Sequence, residues 1–337
     1  MPMHVGAMSA PAKPLSPANP KSVIVIAHRG ASGERPEHTI ASYTRAIEEG
    51  ADFIEPDLVP TKDGVLVARH ENEISETTDV SDHPEFARRR TTKTIDGQTL
   101  TGWFVEDFTL AELKTLHARE RLPQLRPANA AYKDERIPTL AEIITLAKAH
   151  HVGIYPETKH PTYFASIGHP TDAPLVKQLR EAGWDSAEAP VFIQSFEVDN
   201  LKRLHGMTGI RLIQLVDGEG APADGAAASY AAMTTPEGLK AVAAYAYGLG
   251  PNKAMLWKGA TPSPLVADAH AAGLRIHPWT YRAENYFLPD RYKAGTDPRA
   301  HGDVAREIDD ALKQGIDGFF TDFPGVGVPE RNKAAGK

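Results

Sequence analysis

The chain has 337 residues, with 37 Lys plus Arg against 44 Asp plus Glu, a formal charge of −7. Such a chain can bury one large core or two medium ones, and its negative balance argues against a broad electrostatic hold on nucleic acid or anionic lipid, leaving any phosphate to a local cluster. It has no cysteine, which excludes disulfides, thiolate zinc sites and cysteine nucleophiles, and no apolar run approaches the roughly 20 residues of a membrane span.

The first 20 residues, rich in Ala, Pro and Ser, lack the basic and apolar regions of a signal peptide and are expected to form a flexible arm. On that reading alone the chain is cytoplasmic. Residues 23–27 then form an expected buried strand that stops at His28-Arg29-Gly30. Ile40, Tyr43 and Ile47 fall on one helical face, with Gly50 past its end. Residues 53–59 are a second strand in which Glu55 and Asp57, two apart, face the same side. After the Lys62-Asp63-Gly64 turn, Val65-Leu66-Val67 leads to His70-Glu71. Two imidazoles, a guanidinium and a carboxylate pair on strand ends exceed what a core requires.

From Glu71 to Ile137 no clean unit follows, and a structureless loop of that length is improbable in a compact domain. A folded insertion is expected over about 72–137, with Thr109-x-x-Glu112 opening a helix that carries Leu110, Leu113 and Leu116. Further strands are expected at 152–157, 191–196, 210–216, 247–250, 274–281 and 318–321. Helical patterns separate them, beginning with Leu140, Ile143, Ile144 and Ala147 after a Thr139-x-x-Glu142 capping box. Eight β-α units predict a (β/α)₈ TIM barrel over 21–330, with a tail at 331–337. The Ala/Gly-rich segment 217–235 is expected to be loose. In such a barrel the strands' C-terminal ends carry the chemistry, and His28, Arg29, Glu55, Asp57, Glu157, Lys159, Trp279 and Asp322 all fall at or near those ends.

The run HRGASGERPEHTIASYTRAIEEGADFIEPDLVPTKDGVLVARHE, from His28 to Glu71, resembles the signature of the glycerophosphodiester phosphodiesterase family. The likeness continues at Tyr155-Pro156-Glu157-Thr158-Lys159, Gln194-Ser195-Phe196, Pro278-Trp279-Thr280 and Thr321-Asp322-Phe323-Pro324. Gly102-Trp103-Phe104, Arg121-Leu122-Pro123 and Ile137-Pro138-Thr139-Leu140 further resemble its bacterial, often exported branch, which favours a periplasmic location and conflicts with the missing signal peptide.

Three carboxylates, Glu55, Asp57 and Glu157, brought to one small space would repel one another unless a cation intervenes. All-oxygen ligation points to one divalent cation, Ca²⁺ or Mg²⁺, and the resemblance assigns the same positions to the metal. The resemblance further implies hydrolysis of glycerophosphodiesters to an alcohol and sn-glycerol 3-phosphate, in lipid and glycerol metabolism. His28 and His70 would share the general acid and base roles, and Arg29 and Lys159 would stabilise charge on phosphorus. Trp279 is either an apolar wall against the glycerol carbons or a residue of the barrel's upper core. His38 is read as a hydrogen-bonder at the helix start, and His150, His151, His160 and His169 as surface residues. The rivals are a phospholipase-like diesterase acting on intact lipid, a non-catalytic surface binding protein on the same fold, and a two-carboxylate glycosidase, which would leave Arg29 and both histidines unexplained.

Overall fold

The computed structural model describes residues 23–336, so the expected N-terminal arm lies outside the described residues. Eight strands form the barrel: β1 (Ile24–His28), β2 (Phe53–Glu55, resuming as Asp57–Pro60), β3 (Gly153–Ile154, resuming as Glu157–Thr158), β4 (Phe192–Ser195), β5 (Arg211–Val216), β6 (Gly248–Pro251), β7 (Arg275–Ile276) and β8 (Gly318–Thr321). They pair in parallel from β8 through β1 and β2 round to β7. The ring closes where Phe320 N–H donates to Pro278 O (3.0 Å) and Tyr281 bridges Thr321. Pro56 and Pro156 interrupt β2 and β3 because they cannot donate. Their carbonyls still accept from the N–H of Glu157 and Gln194, both at 2.9 Å, so the halves stay in line.

Eight helices alternate with the strands: α1 (Ile40–Glu48), α2 (Leu140–His150), α3 (Asp172–Glu181), α4 (Val198–His205), α5 (Pro236–Ala243), α6 (Leu265–Ala271), α7 (Val304–Leu312) and α8 (Pro324–Ala334). The capping box at α2 forms: Glu142 N–H donates to Thr139 Oγ1 (3.2 Å) and Thr139 N–H to Glu142 Oε2 (2.7 Å). Residues 331–334, expected in a tail, instead extend α8, and Arg331 Nη1 ties them to Asp52 (2.7 Å). Among the described residues no helix is long and apolar enough to cross a membrane.

Alternation along the strands divides the core. Ile24, Ile26, Phe53, Tyr155, Phe192, Ile213 and Phe320 fill the barrel interior, whereas Val25, Ala27, Ile54 and Leu58 pack in the layer shared with the helices. The expected strand at 274–281 pairs regularly at Arg275–Ile276, is interrupted at Pro278, and resumes as single parallel bridges from Trp279 to Asn252 and from Tyr281 to Thr321.

The segment after His70 has a core of its own, where Ile74, Phe86, Val105, Phe108, Leu113 and Leu116 pack on Val59 and Val67 of the barrel. Each such buried side chain contributes about 1.5–3 kcal/mol. A hairpin (Thr91–Ile95 and Gln98–Gly102) projects from it, turning at Asp96-Gly97. The expected helix there is one turn, Leu110–Leu113, with its capping box made. The segment 217–235, expected to be loose, holds Tyr230 buried, edge-on to Phe196 at 6.0 Å.

Candidate active site

β1 delivers His28 and then turns sharply, with Arg29 at φ 62° and Gly30 at φ 88°. A Cβ on Gly30 would come within 2.4 Å of Ser42 Oγ, so this tight turn onto α1 requires glycine. The turn aims Arg29 N–H at Glu55 Oε2 (2.8 Å) and its Nη1 at both oxygens of Glu37 (3.1 and 3.0 Å). Arg29 Nε has no hydrogen-bond partner among the described residues and lies 3.5 Å from Asp57 Oδ2.

The ladder puts Asp57 opposite Glu157 and Glu157 opposite Gln194. Glu55, Asp57 and Glu157 thereby offer oxygens that all lie within 4.8 Å of one another, and all three are buried. Gln194 Nε2 donates to Glu55 Oε1 (3.1 Å), and His38 Nε2 stands 2.8 Å from Asp57 Oδ2, with Tyr43 OH 2.8 Å from its other nitrogen. His38 therefore reaches into the carboxylate cluster rather than only serving the start of α1.

His70 follows a short strand, Leu66–Ala68, that returns antiparallel to β2. Arg69, fully buried, fixes that return by donating to the carbonyls of His38 (2.9 Å) and Thr77 (3.1 Å). His70 Nδ1 stands 3.1 Å from Glu71 Oε1, and Glu71 Oε2 is 2.9 Å from His160 Nε2. His160 Nδ1 in turn meets Asp96 Oδ2 at 2.5 Å, so His160 is a link between hairpin and barrel and not a free surface residue.

On the other side His28 Nδ1 lies 2.7 Å from Asp322 Oδ1, just past β8. Asp322 Oδ2 accepts from Arg126 Nη2 (2.6 Å) and Arg282 Nε (2.9 Å), and Arg126 Nε donates to Glu284 Oε1 (2.6 Å). Arg126 comes from the insertion, as does Arg121, whose Nε donates to Glu37 Oε2 (3.0 Å). Glu37, Arg126 and Arg282 carry no spacing signal in the sequence, because each acquires its partner only through the tertiary fold.

His28, Arg29, Glu55, Asp57, His70, Glu157 and Trp279 border one cavity of about 230 Å³. Trp279 is held there by its indole N–H on Gly250 O (2.8 Å) and lies edge-on to Phe196. Lys159 is not part of that lining; it sits behind Glu157, Nζ to Oε1 at 3.2 Å.

The charges in the cluster are in conflict. Burial, and then the Asp57 and Glu157 carboxylates, push Glu55 well above the usual range. Burial pushes Glu157 up to about 8, with Lys159 opposing and Asp57 adding to the rise. Asp57 resists the same burial because His38, His70 and Lys159 hold it well below the usual range. Burial and then Arg29 bring His28 down to about 4 against the pull of Asp322, and burial, Arg29 and Lys159 hold His70 well below 6.5. Burial disfavours the Asp322 charge, but Arg282, Arg126 and His28 outweigh it and keep the group a carboxylate. In both imidazoles burial thus disfavours the charged form, and the nearby carboxylates oppose it.

A closed parallel barrel with a polar cavity of this kind at the C-terminal ends of its strands defines a (β/α)₈-barrel enzyme. The chain belongs to the glycerophosphoryl diester phosphodiesterase family, whose model matches residues 28–326. A glycerophosphodiester phosphodiesterase of Arabidopsis thaliana is 37% identical over 95% of this chain and 88% of its own length. One from Haemophilus influenzae is 30% identical over 90% of this chain and 88% of its own, and one from Bacillus subtilis 30% over 96% and 93%. Plant and bacterial relatives thus match alike, and the likeness does not single out an exported bacterial branch. Among solved structures, an Oleispira antarctica phosphodiesterase in complex with the product sn-glycerol-3-phosphate superposes with a TM-score of 0.62 at 23% identity, covering 92% of this chain and 96% of the other. A glycerophosphodiester phosphodiesterase of Agrobacterium tumefaciens gives 0.58 at 21%, over 91% and 99%. At such identities these structures speak for the fold.

Proposed function

We propose that the chain hydrolyses glycerophosphodiesters to an alcohol and sn-glycerol 3-phosphate, using one divalent cation held by Glu55, Asp57 and Glu157 and acid-base chemistry by His28 and His70. The observation that carries this is the convergence of three buried carboxylates within 4.8 Å, two imidazoles and the Arg29 guanidinium on one cavity. The donor set fits a hard cation: it is all oxygen, and its own electrostatics leave Glu55 and Glu157 reluctant to ionise without a positive partner. When bound, Ca²⁺ or Mg²⁺ supplies Lewis-acid polarisation of a phosphate oxygen.

The protein's own groups do the rest. With Nδ1 of His28 on Asp322 and Nδ1 of His70 beside Glu71, Nε2 is in each ring the nitrogen left for proton transfer. One imidazole takes the proton of the glycerol 2-hydroxyl as its oxygen attacks phosphorus; the other, entering as the imidazolium, gives its Nε2 proton to the departing alcohol. Water then opens the cyclic phosphate with the roles reversed to leave sn-glycerol 3-phosphate. The Arg29 guanidinium, which borders the cavity, donates to the phosphate, and Trp279 walls the glycerol carbons. Lys159 acts through Glu157, which it holds by an ion pair.

The setting we propose is lipid and glycerol metabolism, with a periplasmic location resting on the resemblance of the insertion's motifs. The deciding experiment measures glycerol 3-phosphate release from a panel of diesters with and without chelator. Release that chelation abolishes and Mg²⁺ or Ca²⁺ restores is the expected result. Full activity in excess chelator, with metal analysis showing no bound ion, would remove the cation from the proposal.

A further inference from the structure

The charged groups around the catalytic cavity are answered by partners, with one exception. His28 and Arg282 both meet Asp322, at 2.7 and 2.9 Å, Arg29 pairs with Glu37 at 3.0 Å, and His70 stands 3.1 Å from Glu71. A second cavity of about 330 Å³ abuts the first and shares Trp279 and Arg282 with it, and there Lys253 Nζ pairs with Glu307 at 2.8 Å. Asp217, which also borders the catalytic cavity, accepts from Gly218 N–H (2.7 Å) and Asn252 Nδ2 (2.9 Å), both neutral donors and both on Oδ1. Among the described residues no Lys, Arg or His pairs with it, and its Oδ2 accepts no hydrogen bond. Outside the cluster of Glu55, Asp57 and Glu157, it is the carboxylate of this cavity without a counter-charge.

The strand ladder places that carboxylate beside an aromatic wall. Asp217 follows Val216, the last residue of β5, whose carbonyl accepts from Asn252 N–H at 3.0 Å, and Asn252 in turn bridges Trp279 in parallel pairing. Asp217, Asn252 and Trp279 thus stand at one level just past the ends of β5, β6 and β7, with Asn252 in the wall of the second cavity. The indole is fixed by its N–H on Gly250 O (2.8 Å) and lies edge-on to Phe196, another wall of the catalytic cavity, at 5.8 Å. Among the described residues no cation stacks on Trp279 or on Tyr286: the Arg282 guanidinium lies over Phe287 at 4.5 Å, and that of Arg291 over Trp257 at 4.1 Å. An indole free of any stacked cation and a carboxylate with an uncommitted oxygen are what hold an alkylammonium ion, the ring by its quadrupole and the carboxylate by its charge. Arg282, the cation common to both cavities, shares Asp322 with Arg126, whose other partner is Glu284, so two guanidinium groups face two carboxylates there.

On the reading that the chain is a glycerophosphodiesterase, we infer that Asp217 and Trp279 seat the departing alcohol and select one that carries an ammonium group, choline or ethanolamine, over an uncharged alcohol such as glycerol. The Asp217 carboxylate answers the positive charge, and the indole covers the methyl or methylene groups beside it. Trp279 borders both cavities, so it walls the glycerol carbons in the first and meets the ammonium alcohol toward the second.

The test compares kcat/KM for glycerophosphocholine, glycerophosphoethanolamine, glycerophosphoglycerol and the 3,3-dimethylbutyl diester, an uncharged isostere of the choline compound, with the full chain and saturating Mg²⁺ or Ca²⁺. The two ammonium diesters should exceed the two uncharged ones by about tenfold or more, the scale of a cation-π contact joined to one ion pair. Asp217→Asn keeps the shape of the side chain and removes its charge; it should bring that ratio to within about twofold of unity, chiefly by raising KM for the ammonium diesters. A wild type without the ammonium preference, or an Asp217→Asn variant that retains it because all four substrates lose equally, overturns this inference and leaves the diesterase reading standing. If the variant does not fold, the choline diester against its isostere decides on the wild type, and equal kcat/KM for the two overturns the inference. Release of glycerol 3-phosphate from none of the four overturns both.

Discussion

At the scale of single residues, the site is governed by which groups are held and which are left free. Asp322, kept ionised by two guanidinium groups, fixes His28 in one tautomer, much as a buried carboxylate does in a serine protease triad. His28→Ala or His70→Ala should each cost on the order of 10² to 10⁴ in kcat, and the pH profile should be bell-shaped. The loss should depend on the leaving group. An activated nitrophenyl diester needs little protonation, so the acid-role variant should recover much of its rate on it and the base-role variant should not. Equal losses on both substrates for both variants would refute the division of roles. Asp322→Asn should reproduce much of the His28→Ala loss in kcat with little change in KM, because it disturbs the tautomer and not the binding groups. This part of the site was half legible in the sequence. His28, Arg29, Glu55, Asp57 and His70 stand in one contiguous motif, whereas Glu37, His38, Arg126 and Arg282 gain their meaning only from partners that folding brings. His38 was open to misreading because Asn, Asp and His at a helix start ordinarily serve the backbone, and its contact with Asp57 cannot be inferred from its neighbours in the chain.

At the scale of elements, the insertion is a supporting wall of the site. Arg126, 4% exposed, joins Asp322 at the end of β8 to Glu284 of the loop between β7 and α7, and Arg121 braces Glu37 behind Arg29. Removing one partner from a buried ion pair leaves an uncompensated charge, so Arg126→Met should destabilise the protein by about 3–5 kcal/mol, read from urea unfolding. Deleting the whole of 72–137 would confound that effect with any lid role. The substrate-range test therefore belongs to the hairpin alone: trimming 91–102 should widen acceptance toward bulkier diesters, and an unchanged range would count against a cover. The hairpin's anchor also predicts a pH dependence. Burial opposes the His160 charge, but Asp96 and Glu71 overcome it and raise the group from 6.5 to about 9. A raised histidine adds stability that is fully present below pH 6.5 and is lost as pH rises through about 9. Asp96→Asn should flatten that part of a Tm-against-pH curve between 6 and 10. The folding of this segment is legible in its length and its capping box, whereas its core and its arginines have no period to follow.

At the scale of the whole molecule, the barrel's strand order was legible because each short apolar run carries its own start and stop, and eight of them separated by helical patterns leave few topologies. The interruptions at Pro56 and Pro156 were legible only as residues, yet they keep Asp57, Glu157 and Gln194 level across three strands without a continuous ladder. Nothing in the fold by itself selects the chemistry, since barrels serve many reactions. What distinguishes this one is a stable scaffold built round three carboxylates that cannot comfortably coexist, with Glu55 and Glu157 pushed up and Asp57 pushed down. A ligand that binds the folded state alone stabilises it in proportion to the logarithm of its saturation, about 2.7 kcal/mol at a hundred times its Kd. Adding Ca²⁺ or Mg²⁺ to metal-stripped protein should therefore raise Tm progressively. Glu55→Gln or Glu157→Gln should leave a folded barrel by circular dichroism, weaken the cation measured by calorimetry, and lose most of that rise. A control variant at exposed Glu237 of α5, Glu237→Gln, should keep it. A wild-type Tm indifferent to both cations, with no heat of binding, would show that the cluster's repulsion is relieved by protons alone, and the divalent cation would then have no place in the site.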